Sequence, residues 1–172
     1  IVGNSFHSNV ELGIDLDNNN VDVNDAGDAD VGPNNFQNYP VLATATSAGG
    51  NTTVTGTLNS AASTTFDIHF YSSPTADASG FGEGQVYLGP DSVTTDGSGN
   101  AIINTTLVSV SVAAGHSVTA TATDPTNNTS EFSAVIAAVS NTIVVDTTSD
   151  VADGDTSSIT SLIATPGADG FI

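Results

Sequence analysis

Apolar residues alternate with polar ones through residues 41–139, and clusters of turn-forming residues interrupt the alternation about every ten positions. The interruptions are rich in Gly, Pro, Asn, Asp and Ser, which accept positive φ or favour a bend. The pattern predicts seven strands, at residues 41–47, 51–58, 64–72, 84–93, 100–110, 116–124 and 130–139. Short strands of this kind are typical of an immunoglobulin-like β-sandwich, so we expect an all-β fold.

The strand predicted at 64–72 has the most regular alternation. One of its faces is apolar and is expected to join the core: Phe66, Ile68 and Phe70. The opposite face is expected to meet solvent: Asp67, His69 and Tyr71. The strand therefore predicts a sheet with one buried face and one hydrated face.

Two segments flank the predicted sandwich. Residues 1–40 begin with a strand-like patch of spaced apolar residues: Ile1, Phe6, Val10, Leu12, Ile14 and Leu16. Short strands interrupted by Gly and Asn are typical of a β-helix rung, which cannot bury its apolar face without a neighbour. Residues 140–172 are predicted to form one strand, at 142–148, and an acidic loop that leads to a next unit. We therefore expect three regions, 1–40, 41–139 and 140–172.

The net charge of the chain restricts the kinds of molecule that it is expected to bind. The 172 residues include no Lys, Arg or Cys, and 19 acidic residues give a formal net charge of −19. Proteins bind nucleic acids and anionic membranes largely through Lys and Arg, so we expect neither as a partner. No apolar run approaches the roughly twenty residues of a membrane-spanning helix, and we expect no membrane insertion.

An Asp- and Asn-rich tract follows the first apolar patch and predicts a cation site. Its candidate ligands are Asp15, Asp17, Asp22, Asn24, Asp25, Asp28 and Asp30. Ca²⁺ prefers six to eight oxygen ligands from carboxylates, amides and backbone, so it is the cofactor that we expect. Counting from Asp15, the Gly and Glu of an EF-hand are replaced by Asn20 and Ala26, so the site would be of another type. A hydrated acidic linker is the alternative.

The C-terminal region repeats the acidic theme among glycines. Its candidate Ca²⁺ ligands are Asp150, Asp153 and Asp155. Elsewhere, the residues that enzymes use are isolated, since each of the three His stands alone and the chain contains no Cys or Lys nucleophile. We therefore expect no enzymatic activity.

Three stretches together resemble modules of very large bacterial surface proteins. GNSFHSNVELGIDLDNNNVDVNDAGDADVGPNNFQNYPVL resembles the closing rung and exit loop of a right-handed parallel β-helix. HFYSSPTADASGFGEGQVYLG and HSVTATATDPTNNTSEFSAV resemble the immunoglobulin-like module that often follows such a region. VVDTTSDVADGDTSSITSLIATPGADGFI is similar to the lead-in of a CSLREA-type segment. The resemblance implies a tandem unit of an extracellular surface or filament protein, and it implies no catalytic residues.

These observations predict a structural repeat unit of an extracellular filament or cell-surface stalk, stabilised by Ca²⁺. Its partners would be further copies of itself, joined head to tail as separate subunits or as tandem repeats of one chain. The alternative is an adhesin module that binds carbohydrate or a partner cell. Sugars stack on exposed aromatic rings, for which the candidates are Tyr71, Tyr87 and Phe81.

Overall fold

The computed structural model describes residues 2–18 and 20–140, whose regular structure is a short 3-10 helix, Pro33–Phe36, followed by eight strands in two four-stranded sheets. The strands are β1 (Val41–Ala48), β2 (Asn51–Asn59), β3 (Thr65–Ser73), β4 (Val86–Thr94), β5 (Asn100–Leu107), β6 (Ser117–Thr123), β7 (Ile136–Ala137) and β8 (Val139–Ser140). One sheet has the order β5-β2-β1-β8 and the other β4-β3-β6-β7. The fold is an all-β, immunoglobulin-like sandwich, as the strand pattern predicted.

The first six predicted strands agree with β1 to β6 to within three residues at either end. The seventh, predicted at 130–139, is different. Residues 130–135 are irregular, β7 pairs antiparallel with β6, and β8 pairs parallel with β1. The chain therefore changes sheets at the buried Ala138, so that β8 forms one edge of the first sheet and β7 one edge of the second.

The β1–β2 hairpin shows how the turn chemistry fixes the register. Ala48 pairs with Asn51, so the turn has two central residues, Gly49 and Gly50, whose φ angles are 57° and 83°. Positive φ at both central positions suits the right-handed twist of the strands and is accessible to Gly without a steric penalty.

The core lies between the two sheets. Phe66, Ile68 and Phe70 are fully buried, which confirms the predicted core face of β3. The facing sheet contributes Val54 and Ile103, which are also fully buried. Removing each such side chain from water stabilises the fold by about 1.5–3 kcal/mol.

Most of the opposite face of β3 is buried, so the prediction that it meets solvent was wrong for two of its three residues. His69 is 6% exposed and Tyr71 is 1% exposed, whereas Asp67 is exposed as predicted. The ring of Tyr71 packs against Phe132 and Tyr87, with both centroid separations at 5.3 Å. This outer face therefore carries an aromatic cluster that is separate from the core between the sheets.

Part of the cover over this face comes from the N-terminal segment, residues 2–16. The predicted rung-like strand is not formed by its described residues, which adopt bends and irregular chain. Instead, Phe6 donates its N–H to the carbonyl of Gly84 at 2.9 Å, and its ring lies 5.4 Å from that of Phe132. The physical reason is that an isolated rung has no ladder partner, whereas the outer face of the sheet offers both apolar surface and carbonyl acceptors.

Gly84 shows how closely this face is packed. A Cβ built there would lie 2.7 Å from the ring of Tyr71, closer than atoms of real side chains approach.

The predicted strand at 142–148 lies outside the described residues, all of which belong to one compact unit, Ile1–Asn141.

Candidate metal centre

Asn38 holds the acidic loop that follows the N-terminal segment. This residue is buried, and its side-chain oxygen accepts the N–H of Asp25 at 3.1 Å. Its side-chain nitrogen donates to the carbonyls of Asp25 at 2.8 Å and of Asn59 at 2.9 Å. Because Asn59 ends β2, these bonds fix the loop to the sandwich.

Two carboxylates of the loop are oriented by hydrogen bonds. Asp28 accepts the N–H of Asn38 at 2.9 Å and the hydroxyl of Ser60 at 2.7 Å. Both carboxylate oxygens of Asp25 accept the N–H of Ala29 at 3.1 Å. Each of these oxygens keeps a lone pair for a further ligand.

The loop brings three carboxylates to one place. Asp25, Asp28 and Asp30 each offer one oxygen, and these three oxygens all lie within 4.8 Å of one another. Asp25 and Asp28 are partly buried, and Asp30 is exposed. We call these three residues the Asp25 group.

The electrostatics of the group disfavour three negative charges. Burial raises the pKa of Asp28, and the carboxylates of Asp25 and Asp30 raise it further, while the bonds from Ser60 and Asn38 partly offset the increase. Desolvation raises the pKa of Asp30 as well, and Asp25 adds to the shift. Neighbouring carboxylates repel, and the chain has no Lys or Arg to neutralise them.

The donor set fits a hard divalent cation. All three ligand atoms are carboxylate oxygens, the type that Ca²⁺ prefers, and Ca²⁺ tolerates irregular geometry. Further oxygens could come from backbone carbonyls and water, as in most calcium sites. His or Cys, which softer transition metals prefer, are not among the members of this group.

A second acidic position was not predicted from the sequence. Glu131 is 2% exposed, and its two oxygens accept the N–H groups of Leu16 and Asp22, each at 3.0 Å. Burial raises the pKa of Glu131, and the nearby carboxylates of Asp22 and Asp15 add to the shift, whereas the two N–H bonds partly offset it. This single side chain therefore joins the region after β6 to residues more than a hundred positions earlier.

The Ca²⁺ ligands predicted from the sequence do not all lie at one site. Asp25, Asp28 and Asp30 form one group, while Asp15 and Asp22 lie near Glu131. Asp17 is exposed and belongs to neither set. Asn24 serves the fold, since its amide accepts the N–H of Tyr39 at 2.9 Å and donates to the Tyr39 carbonyl at 2.8 Å. The remaining three candidates lie outside the described residues: Asp150, Asp153 and Asp155.

Only a weak sequence signal marks Glu131. It is a single acidic residue inside SEFSAV, a run of small and apolar residues predicted as a strand. An acidic side chain in such a position is rarely buried without partners, and this one finds them in a segment that is remote in sequence.

A polar cleft of about 200 Å³ lies on another part of the molecule. It is lined by residues 7–9 and by the loop after β3, together with Glu83 and Gln85. The carboxylate of Glu83 accepts the N–H groups of Ser8 at 2.6 Å and of Asn9 at 2.8 Å. Side-chain oxygens and amides of this kind can form hydrogen bonds to a hydroxyl-rich ligand.

No protein-family model matches the chain, and no curated protein matches it significantly. Among residues 2–18 and 20–140, no helix is long and apolar enough to cross a membrane.

Proposed function

We propose that the chain is a structural module of an extracellular filament or cell-surface stalk, and that its acidic loop binds Ca²⁺. The observation that carries the proposal is the convergence of Asp25, Asp28 and Asp30, whose oxygens lie within 4.8 Å of one another in a chain without Lys or Arg. A divalent cation would neutralise their repulsion and use oxygens that the loop already orients.

The position of the loop supports a mechanical role for the cation. The Asp25 group lies between the N-terminal segment and β1, and hydrogen bonds through Asn38 and Ser60 connect it to the end of β2. A bound ion would therefore stiffen the junction between the N-terminal segment and the sandwich. Stiff junctions suit a unit that spaces its neighbours in a stalk or filament.

Two arguments support an extracellular location: the resemblance to modules of bacterial surface proteins, and the Ca²⁺ affinity expected of the acidic loop. Extracellular calcium modules work with dissociation constants of about 10⁻⁴–10⁻³ M, which a site with three carboxylates can provide. The assembly of copies head to tail, within one chain or between chains, remains part of the proposal and rests on the same resemblance.

The adhesin alternative is favoured by one observation, the polar cleft beside Glu83. A hydroxyl-rich ligand such as a carbohydrate matches its lining. Tyr71, which the sequence suggested as a stacking platform, is buried and cannot serve as one. Binding of the purified chain to a glycan array, lost in Glu83→Gln, would favour this alternative.

Thermal unfolding tests the calcium proposal. At a free Ca²⁺ concentration a hundred times the dissociation constant, binding to the folded state adds about 2.7 kcal/mol. We expect Ca²⁺ to raise the Tm of the chain and EDTA to reverse the increase. Asp28→Asn should abolish most of the stabilisation that Ca²⁺ gives through the Asp25 group. Asp67→Asn, which changes an exposed carboxylate of β3, should respond to Ca²⁺ as the unmodified chain does. An identical Tm in Ca²⁺ and EDTA would overturn the proposal.

A further inference from the structure

The segment around Glu131 pairs with β6 and contains a bulge, which places an extra residue opposite β6. Ser130 donates its N–H to the carbonyl of Ala122, and Ser133 donates to that of Ala120, both at 2.9 Å. Two residues, 131 and 132, therefore stand across from the single residue Thr121 of β6. This two-to-one count is the signature of a β-bulge, and bulges often redirect side chains near functional sites.

Serine hydroxyls complete the pairing around the bulge. Ala122 donates its N–H to the hydroxyl of Ser130, and Ala120 donates to that of Ser133, both at 3.0 Å. The backbone of β6 is thus satisfied without the main-chain acceptors of the two bulged residues. Glu131 is free to turn its carboxylate toward residues 16 and 22, which it contacts.

Two buried side-chain oxygens in this part of the fold have no hydrogen-bond partner, one on a residue that contacts Glu131 and one on a residue across from the bulge. They are Oδ2 of Asp22 and Oγ1 of Thr121, two of the three such side-chain atoms among the described residues. Thr121 is 1% exposed and stands across from the bulge, and Asp22 donates its N–H to Glu131. A buried oxygen without a hydrogen-bond partner lowers the stability of the fold, and a bound ligand that contacts the oxygen would offset this cost.

The third such atom is Nδ1 of His69, the cross-strand partner of Thr121 on β3. An imidazole nitrogen is a poor ligand for hard cations, so His69 is not needed in the site. The three oxygen-bearing side chains Glu131, Asp22 and Thr121 instead supply the donor type that Ca²⁺ binds.

We infer that Glu131, Asp22 and Thr121 form a second site for a hard divalent cation, separate from the Asp25 group. An ion in this second site would hold Leu16 and Asp22 against the sandwich. Asp15, whose carboxylate acts on Glu131, lies near enough to add charge to the site. The ion would neutralise a buried carboxylate that accepts hydrogen bonds from two neutral N–H groups, those of Leu16 and Asp22. The inference does not depend on the Asp25 group being occupied.

Isothermal titration of the full chain with Ca²⁺, after chelator treatment and at neutral pH, tests the inference. We expect two ions per chain. Asp28→Asn should leave the ion at Glu131, and Asp22→Asn should leave the ion at the Asp25 group. If the unmodified chain binds one ion and Asp22→Asn binds none, the second site stands and the Asp25 group fails. If Asp28→Asn binds no ion while the unmodified chain binds one, the inference is overturned.

Thr121→Val keeps the shape of the side chain and so tests the site without a risk of misfolding. It should weaken Ca²⁺ binding at this site about tenfold, yet the Tm in EDTA should not fall, because the removed hydroxyl has no partner in the protein. The control is Thr119→Val, whose hydroxyl donates to the Ser133 carbonyl at 2.8 Å. The control should lower the Tm in EDTA and leave the Ca²⁺ affinity unchanged. Unchanged affinity in both Thr121→Val and Asp22→Asn would overturn the inference.

Discussion

The ring of Phe6 lies edge-on against the ring of Phe132, with centroids 5.4 Å apart and an interplanar angle of 72°. This contact joins the N-terminal segment to the bulge that follows β6. Phe132 also meets Tyr71 edge-on, so the contact continues onto the outer face of β3. The segment before the acidic loop is therefore part of the packing of the sandwich module.

Removal of the Phe6 ring should destabilise the chain. Phe6 is partly buried, so Phe6→Ala is expected to cost about 1–3 kcal/mol, less than for a ring in the core. Urea unfolding measures the loss. Val10→Ala is the matched control, because Val10 is 97% exposed and its truncation should change the free energy of unfolding by less than about 0.5 kcal/mol. Equal effects of the two substitutions would contradict the docking of the segment.

The carboxylate of Glu83 should order the start of the segment. It accepts two backbone N–H groups and the side-chain amide of Asn9, the last at 2.6 Å. Glu83→Gln replaces one acceptor oxygen by a donor, so protection of the amides of Ser8 and Asn9 from hydrogen exchange should fall severalfold. The amide of Val54, in β2 between β1 and β5, should keep its protection. Unaltered exchange at Ser8 and Asn9 would mean that Glu83 does not hold this segment.

Gly84 should not tolerate a methyl group. Gly84→Ala places a Cβ against the ring of Tyr71, and overpacking of this kind costs about 1–3 kcal/mol. Gly97→Ala is the control, because a Cβ at Gly97 meets nothing within 4 Å. Thermal unfolding of the two variants should give a clearly lower Tm for Gly84→Ala alone. If Gly84→Ala left the Tm unchanged, the aromatic cluster would be loosely packed, which would contradict the structure.

Without Ca²⁺, stability should fall as the pH rises from acid toward neutrality. Burial raises the pKa values of Asp28 and Glu131 above their usual 3.8 and 4.5. A group with a raised folded-state pKa contributes stability below its unfolded pKa and loses it as the pH rises through the folded value. Below about pH 4 the trend should reverse, because hydrogen bonds from Ser79 lower the pKa of Asp77, which loses its contribution as it is protonated.

Urea unfolding in EDTA at a series of pH values, repeated in Ca²⁺, measures this dependence. Bound Ca²⁺ should flatten the decline above about pH 4.5, because the cation replaces the proton as the partner of these carboxylates. Stability that rises steadily with pH in EDTA up to neutrality would contradict the assigned electrostatics.

Local patterns predicted most of the sandwich but not its outer cover. The six strands β1 to β6 were predictable because period-two alternation and turn residues are local signals. The burial of Tyr71 was not, because the ring that covers it belongs to Phe132, and alternation within one strand reports only that the two faces differ. The split of the last strand was hidden for a similar reason, since apolar residues such as Ile136 and Val139 fit either sheet.

The candidate sites show the same limit. The Asp25 group was included in the prediction because its members lie close together in sequence. Glu131 was missed because its partners, Leu16 and Asp22, come from a segment 115 and 109 residues away. Only the fold shows which isolated acidic residue meets the acidic tract.

The central claim, that the acidic loop binds Ca²⁺, is tested most directly by diffraction from crystals of the chain grown with millimolar Ca²⁺ and measured at a wavelength with a calcium anomalous signal. The account predicts an anomalous peak about 2.3–2.6 Å from carboxylate oxygens of Asp25, Asp28 and Asp30. An ordered loop with these three carboxylates in place and no anomalous peak among them would contradict it.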